Sequence, residues 1–193
     1  MTTAAPYFFD DPARVSAETG LVERFLEYVQ MDTTSDPNSP TYPSTERQLV
    51  LGRRLVGQLR RLGLADARLT ADGHVLATRV GNRAEQPVVG LIAHLDTSPD
   101  APGTNVRPLV HRNYDGATIV LPNGLAIDPT DNPALRRCVG DTIITADGTT
   151  LLGADDKAGV AEIMAVLAYY QRRPETPHPT IRVAFTPDEE IGR

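Results

Sequence analysis

The sequence predicts an α/β fold in which helices flank a central mixed, mostly parallel sheet. Three observations predict it. Apolar residues recur at helical spacing in stretches 20–31, 45–63 and 157–172, and short β-type runs stand at 75–80, 88–93 and 180–186. The run Val88 to Ala93 is nearly continuous Val, Gly, Leu, Ile and Ala, the composition of a central parallel strand covered on both faces. At 193 residues the chain has the size of one ordinary domain, or of a piece of a larger one.

Each element has a local cause. Leu21, Val22, Phe25, Leu26 and Val29 form one apolar stripe, so a helix is expected over 20–31. Asp32 to Pro43 is rich in Thr, Ser, Asp, Asn and Pro and reads as a loop. Thr45 with Gln48 has capping-box spacing, Leu51, Leu55, Leu59 and Leu62 follow on one face, and Gly63 suits the C-terminal cap. Strands are expected at Val75 to Val80 and Val88 to Ala93. From Pro99 to Gly140 the pattern becomes an irregular β-rich excursion with short segments at Thr118 to Leu121 and Leu125 to Asp128. Val160, Ala161, Ile163, Met164, Leu167 and Ala168 give a third helix a broad apolar face, Pro174 follows it, and Thr180 to Thr186 supplies another strand.

Composition excludes several partners. Nineteen Lys and Arg stand against twenty-five Asp and Glu, a net charge of −6, so no cationic surface is at hand to neutralise a nucleic-acid backbone. The single cysteine, Cys138, cannot close a disulfide within the chain and reads as a small core filler. Met1 to Ala17 carries Asp10 and Asp11, has no basic start, and has no apolar stretch longer than Tyr7 to Phe9, so it is not expected to be a signal peptide. Gly159 to Tyr170 is broken by Glu162 and is shorter than the roughly 20 residues of a membrane span. A cytoplasmic protein is expected. His74, His111 and His178 fall in loops or edges and are expected to be exposed.

Three polar clusters carry the chemistry. His94-Leu95-Asp96 follows the apolar run, Asp155-Asp156 precedes the third helix, and Asp188-Glu189-Glu190 follows the last strand. Taken singly each has an ordinary explanation: a surface pair, an N-terminal cap, a solvated acidic turn. Together they lie where an α/β sheet gathers ligands, at the carboxyl ends of parallel strands. His94, Asp155 and Glu190 are the N and O donors that zinc accepts, and Asp155 could bridge two ions. Asp96 lies two residues beyond His94, on the same side of an extended segment, and so can hold the second imidazole nitrogen. Glu189 remains for proton transfer. The chain has no Gly-x-x-x-x-Gly-Lys phosphate loop and no Gly-x-Ser-x-Gly elbow, and the stretch 128–132 lacks the glycine of an EF-hand loop.

The segments Ala93-His94-Leu95-Asp96-Thr97-Ser98-Pro99-Asp100, Leu151-Leu152-Gly153-Ala154-Asp155-Asp156-Lys157-Ala158-Gly159 and Val183-Ala184-Phe185-Thr186-Pro187-Asp188-Glu189-Glu190-Ile191-Gly192 closely resemble the peptidase T family of bacterial tripeptide aminopeptidases. Pro43-Ser44-Thr45-Glu46, Asn113-Tyr114-Asp115-Gly116 and Ile144-Thr145-Ala146-Asp147-Gly148 agree. The family lies within the co-catalytic zinc exopeptidase superfamily, which includes carboxypeptidase G. The resemblance runs over residues 21–193 and leaves 1–20 as an amino-terminal extension. It implies a di-zinc aminopeptidase that releases the N-terminal residue of tripeptides by attack of a metal-bridging hydroxide. His94 would ligate one zinc, Asp155 would bridge both, Glu190 would ligate the other, Asp96 would orient His94, and Glu189 would be the general base. A cis peptide bond after Asp155 is implied as well.

Family members carry a further aspartate ligand, a histidine ligand and a lid domain downstream of the acidic pair. The resemblance therefore implies a truncated catalytic domain over 21–193, without its carboxy-terminal part and lid. On that reading the 193 residues alone would be inactive, and Leu151, Leu152, Ile181 and Val183 would be apolar surface left for later elements to cover. The expected partners are small peptides, with neither nucleic acid nor membrane, and the full-length protein would be a homodimer. The alternatives are a dipeptidase or amide deacylase of the same superfamily, or a catalytically silent piece with an incomplete metal site.

Overall fold

The computed structural model describes residues 11–83 and 85–193. The elements run α1 (Pro12–Thr19), α2 (Leu21–Val29), α3 (Glu46–Arg61), β1 (Arg68–Leu69), β2 (Val75–Arg79), β3 (Val89–His94), β4 (Leu109–His111), β5 (Ile119–Val120), β6 (Ala126–Ile127), β7 (Ile143–Thr145), α4 (Ala154–Arg172) and β8 (Ile181–Thr186), with 3-10 turns at Pro133–Cys138 and Glu189–Ile191. The expected extension over 1–20 lies half outside the described residues. Its described part is α1, which is capped by Asp11 accepting from the Arg14 amide and packs against α2 and α4.

The class is the expected one, a mixed α/β fold. The main sheet has the order β1-β2-β8-β3, with β1·β2 and β2·β8 antiparallel and β8·β3 parallel. Parallel pairing is thus confined to one of the three strand pairs this sheet has among the described residues. The cause is local: Thr70 to His74 turns the chain back on itself, which makes β1 and β2 an antiparallel hairpin. That turn needs Gly73, whose φ is +79° and whose Cβ, if it had one, would meet Pro43 Cγ at 2.3 Å.

One core lies between the helices and one face of this sheet. Leu51, Leu55 and Leu59 of α3 are fully buried, as the stripe predicts, against Val75 and Ala77 of β2, Ile181, Val183 and Phe185 of β8, and Val160, Ile163, Met164 and Leu167 of α4. The end of α3 follows the Gly63 expectation: Gly63 N–H reaches Arg60 O at 3.0 Å and Leu64 N–H reaches Leu59 O at 3.1 Å, a Schellman closure. At its start Thr45 makes no capping bond; its hydroxyl donates to Thr34 O instead. On α2 the fully buried residues are Tyr28 and Val29, because the Tyr28 hydroxyl finds a buried partner in Gln58 Oε1 and so can leave water.

Three expectations need correction. β3 is not covered on both faces: it pairs with β8 alone among the described strands, α4 covers one side, and Ile92 is 71% exposed on the other. Ile181 and Val183 are not open surface, since alternation along β8 turns both into the core while Arg182 faces out. His178 is buried, stacked on Tyr170 with ring centroids 4.4 Å apart, because Asn82 Oδ1 accepts its backbone N–H and draws the 174–178 loop inward.

The excursion forms a small hairpin, β5·β6, enclosed in sequence by an antiparallel pair, β4·β7, over a satellite core of Tyr114, Ile119 and Leu121, with Cys138 packed beside it as a filler. No helix of the described residues is long and apolar enough to cross a membrane.

The loop before α3 is organised by Asp32. Its carboxylate accepts from the Thr34 amide and hydroxyl, from Thr104 Oγ1 at 2.8 Å and from Arg47 at 2.8 Å. Burial would raise its pKa, and these donors overcome burial and lower it to about 2. A depressed folded-state pKa contributes stability above the unfolded value near 3.8 that is lost as pH falls through about 2. Asp32→Ala should cost about 1–2 kcal/mol at neutral pH, since the carboxylate is partly solvated. The Tm gap to wild type should close as pH falls from about 5 to about 2; a gap independent of pH in thermal melts would contradict the assignment.

Candidate metal centre

β3 and β8 run parallel with His94 opposite Thr186, so the segments that leave both strands emerge at one rim. The Leu95 N–H donates to Thr186 O at 2.8 Å and extends the ladder one step beyond His94. The turn into α4 arrives at the same rim. There Asp155 and Asp156 have non-helical dihedrals, and the bond between them is cis, as the resemblance implies. Lys157 is 1% exposed, and its ammonium donates to Met31 O at 2.6 Å, anchoring the start of α4 to the end of α2. Burial lowers its pKa to about 8 against the pull of the Asp32 charge.

The five residues singled out from the sequence converge. His94 Nε2 lies 3.0 Å from Asp155 Oδ1 and 3.8 Å from Glu189 Oε2. Its Nδ1 lies 3.0 Å from the Asp96 backbone oxygen and 3.4 Å from Asp96 Oδ1. The fully buried Asp96 carboxylate accepts the Glu189 N–H at 2.9 Å and the Glu190 N–H at 3.1 Å, so one side chain fixes both His94 and the acidic pair.

Electrostatics fits that closeness. Burial pulls the His94 pKa down, but the hydrogen bonds to Asp96 and Asp155 and the charges of Asp96 and Asp156 overcome it and raise the value to about 9. Burial would raise the Asp96 pKa, yet His94 and the two backbone N–H groups hold it below the ordinary range. Glu190 is held above its ordinary value by burial and by the charges of Asp155, Asp96 and Glu189, against the pull of His94.

These donors fit a divalent cation. Two ligand atoms each about 2.0–2.2 Å from a tetrahedral ion stand roughly 3.4 Å apart, close to the 3.0 Å between His94 Nε2 and Asp155 Oδ1. His94, Asp155 and Asp156 present ligand atoms within 4.8 Å of one another. The two aspartates differ, however. The Asp155 side chain is 85% exposed, whereas both oxygens of Asp156 accept backbone N–H groups, from Gly159 at 3.1 Å and from His94 at 3.3 Å. Asp155 keeps an exposed carboxylate beside His94, whereas Asp156 braces the turn.

Two residues that sequence reasoning passed over belong to this frame. Asp188, open to reading as part of a solvated turn, is fully buried with φ +58°. Its Oδ2 accepts the Ser44 N–H and its Oδ1 accepts Gln48 Nε2, both at 2.6 Å. Gln48 was visible only as the capping partner of Thr45.

No family model matches the chain. Curated relatives do: peptidase T of Desulfitobacterium hafniense is 53% identical over 178 residues, covering 91% of this chain and 43% of that protein. Peptidase T of Caldanaerobacter subterraneus is 49% identical over 176 residues, covering 90% and 43%. This chain is a relative of peptidase T. It spans less than half the length of these peptidase T relatives. Among solved structures, a tripeptidase from Staphylococcus aureus superposes with a TM-score of 0.61 at 28% identity, covering 91% of this chain and 38% of that one.

The contrast between the adjacent aspartates is testable by calorimetric titration with zinc. Asp155→Ala should weaken binding by more than the roughly 10–100-fold that loss of an outer contact costs, while Asp156→Asn should stay within that range. Equal losses in the two variants would reject the division.

Proposed function

We propose that the chain functions in a di-zinc aminopeptidase of the peptidase T type, which releases the N-terminal residue from tripeptides. The observation that carries this reading is the approach of Asp155 and Glu189 to within 3.8 Å of His94 Nε2, in a chain about half identical to proteins named peptidase T. His94 would hold one ion, Asp155 would stand between two, and Glu190 would hold the second. Bound there, zinc supplies the Lewis acidity that polarises a peptide carbonyl and makes water a stronger acid.

The chain's own residues do the rest. Asp96 keeps the His94 imidazole turned so that Nε2 faces Asp155. The Glu189 side chain is 62% exposed while its own N–H donates to Asp96, so a solvent-accessible acid projects from a hydrogen-bonded backbone. It would take a proton from the attacking water and return it to the departing amine. A cytoplasmic setting suits the lone thiol of Cys138, and homodimerisation of the full-length protein belongs to the same reading.

Glu189→Gln in the full-length protein should cut turnover of a tripeptide by roughly 10²–10⁴ while zinc content stays unchanged. Near-normal turnover would reject the role. Dipeptide and N-acyl substrates assayed in parallel separate the tripeptidase from the dipeptidase and deacylase alternatives.

The ligand count adds a second outcome. His94, Asp155 and Glu190 are three side chains, and two tetrahedral ions that share one bridge and one water need more. Residues 1–193 alone should hydrolyse tripeptides negligibly even with excess zinc. Robust zinc-dependent release of the N-terminal residue by the purified 193-residue protein would overturn the proposed ligand set.

A further inference from the structure

The acidic pair Glu189-Glu190 is held from two directions, and only one of them passes through Asp96. The other begins at Asp188. This carboxylate is fully buried, immediately precedes the pair, and belongs to a residue in the left-handed conformation, which few non-glycine residues adopt. Its partners all lie on the segment that opens α3. Ser44 supplies its N–H at 2.6 Å and its hydroxyl, and Gln48 Nε2 donates to Oδ1 at 2.6 Å. In return Gln48 Oε1 accepts the Asp188 N–H at 3.1 Å. Gln48 is itself fully buried, and its amide also reaches Thr45 Oγ1 at 3.2 Å. The arrangement is reciprocal: an amide that both donates and accepts meets a residue offering a carboxylate and an N–H.

Neither side chain faces the rim, so neither touches the groups that would react. What they fix is the backbone from which Glu189 and Glu190 project. A buried carboxylate without donors costs several kcal/mol, so the bonds to Ser44 and Gln48 are obligatory once Asp188 is interior. Resting on the proposed function, we infer that Gln48 and Asp188 are positioning residues for the acidic pair, coupling the zinc ligand Glu190 and the proton carrier Glu189 to the N-terminal end of α3.

The chemistry of the pair allows a test by exchange of roles. Gln48→Glu removes the donor and sets two carboxylates face to face. Asp188→Asn places an amide against the Gln48 amide donor. The double variant, Gln48→Glu with Asp188→Asn, restores a carboxylate facing an amide, and the carboxylate at position 48 can still accept the backbone N–H of residue 188. Three readouts apply to the full-length protein: amide hydrogen exchange at 189 and 190 in the metal-free state, zinc affinity by titration, and kcat on a tripeptide. Thermal melts accompany them.

Each single variant should remain folded, exchange these two amides at least about tenfold faster, and lose roughly 10–100-fold in zinc affinity or kcat. The double variant should recover most of both losses, a coupling that additive effects do not give. Ser44→Ala, a milder cut at the same node, should show the same pattern at smaller size and covers the case in which a single variant does not fold. Unchanged exchange at 189 and 190 in folded variants, or a double variant equal to the sum of the singles, overturns the inference. Full-length wild-type protein that binds no zinc or leaves tripeptides intact overturns the proposed function instead, and the exchange measurement still decides the positioning role.

Discussion

Asp96 carries a carboxylate into the interior with no exposed surface, which is tolerable only because three groups meet it there: the imidazole of His94 and the N–H groups of Glu189 and Glu190. That set of contacts constrains the rest. It requires β3 and β8 to be adjacent, parallel and in the register that sets His94 opposite Thr186, since a slip of one residue would turn His94 to the other face. It also requires the chain after Thr186 to fold back at once, which the left-handed Asp188 and the turn at Glu189–Ile191 accomplish.

The helices answer to the same constraint. α3 reaches the acidic pair through Gln48 and Ser44, and α4 reaches His94 through Asp156, whose Oδ2 accepts the His94 N–H. The buried ammonium of Lys157 on the Met31 carbonyl then ties α4 to the segment that leads into α3. The buried leucines of α3 and the apolar face of α4 make the frame stiff, because a close-packed interior resists the small shifts that would loosen a ligand.

What could be read in advance follows from the range of each interaction. Leu51, Leu55 and Leu59 announce their helix because period and burial are both local, and Gly63 announces its end for the same reason. That His94, Asp155 and the acidic pair would gather was legible because strand ends meet at one rim in an α/β sheet. Gln48 was misread because capping-box spacing is a three-residue signal, whereas its actual partner is 140 residues away. Asp188 was open to misreading because a run of acids resembles a wet turn until donors from elsewhere are known. The composition of β3 shows that it suits burial on two faces, but not which elements supply the second cover, and Ile92 stands exposed where none of the described residues reaches.

Seven acidic and imidazole groups among the described residues lie at this rim or just beneath it, and the structure sorts them by what their oxygens hold. Asp96, Asp156 and Asp188 each accept backbone N–H groups: those of Glu189 and Glu190, of His94 and Gly159, and of Ser44. These three are structural anions, and each fixes a segment that bears an outer group. Asp155 and Glu189 keep side chains 85% and 62% exposed, pointing to where His94 Nε2 also points. Like charges at such short range would repel, and the positive charge that His94 holds up to a pKa of about 9 offsets part of that repulsion. A divalent cation among Asp155, Glu190 and His94 would offset more of it and would displace the imidazole proton from Nε2. The inner aspartates set the geometry while the outer carboxylates remain free to act, and adjacent residues of the chain, 155 with 156 and 188 with 189, fall on opposite sides of that division.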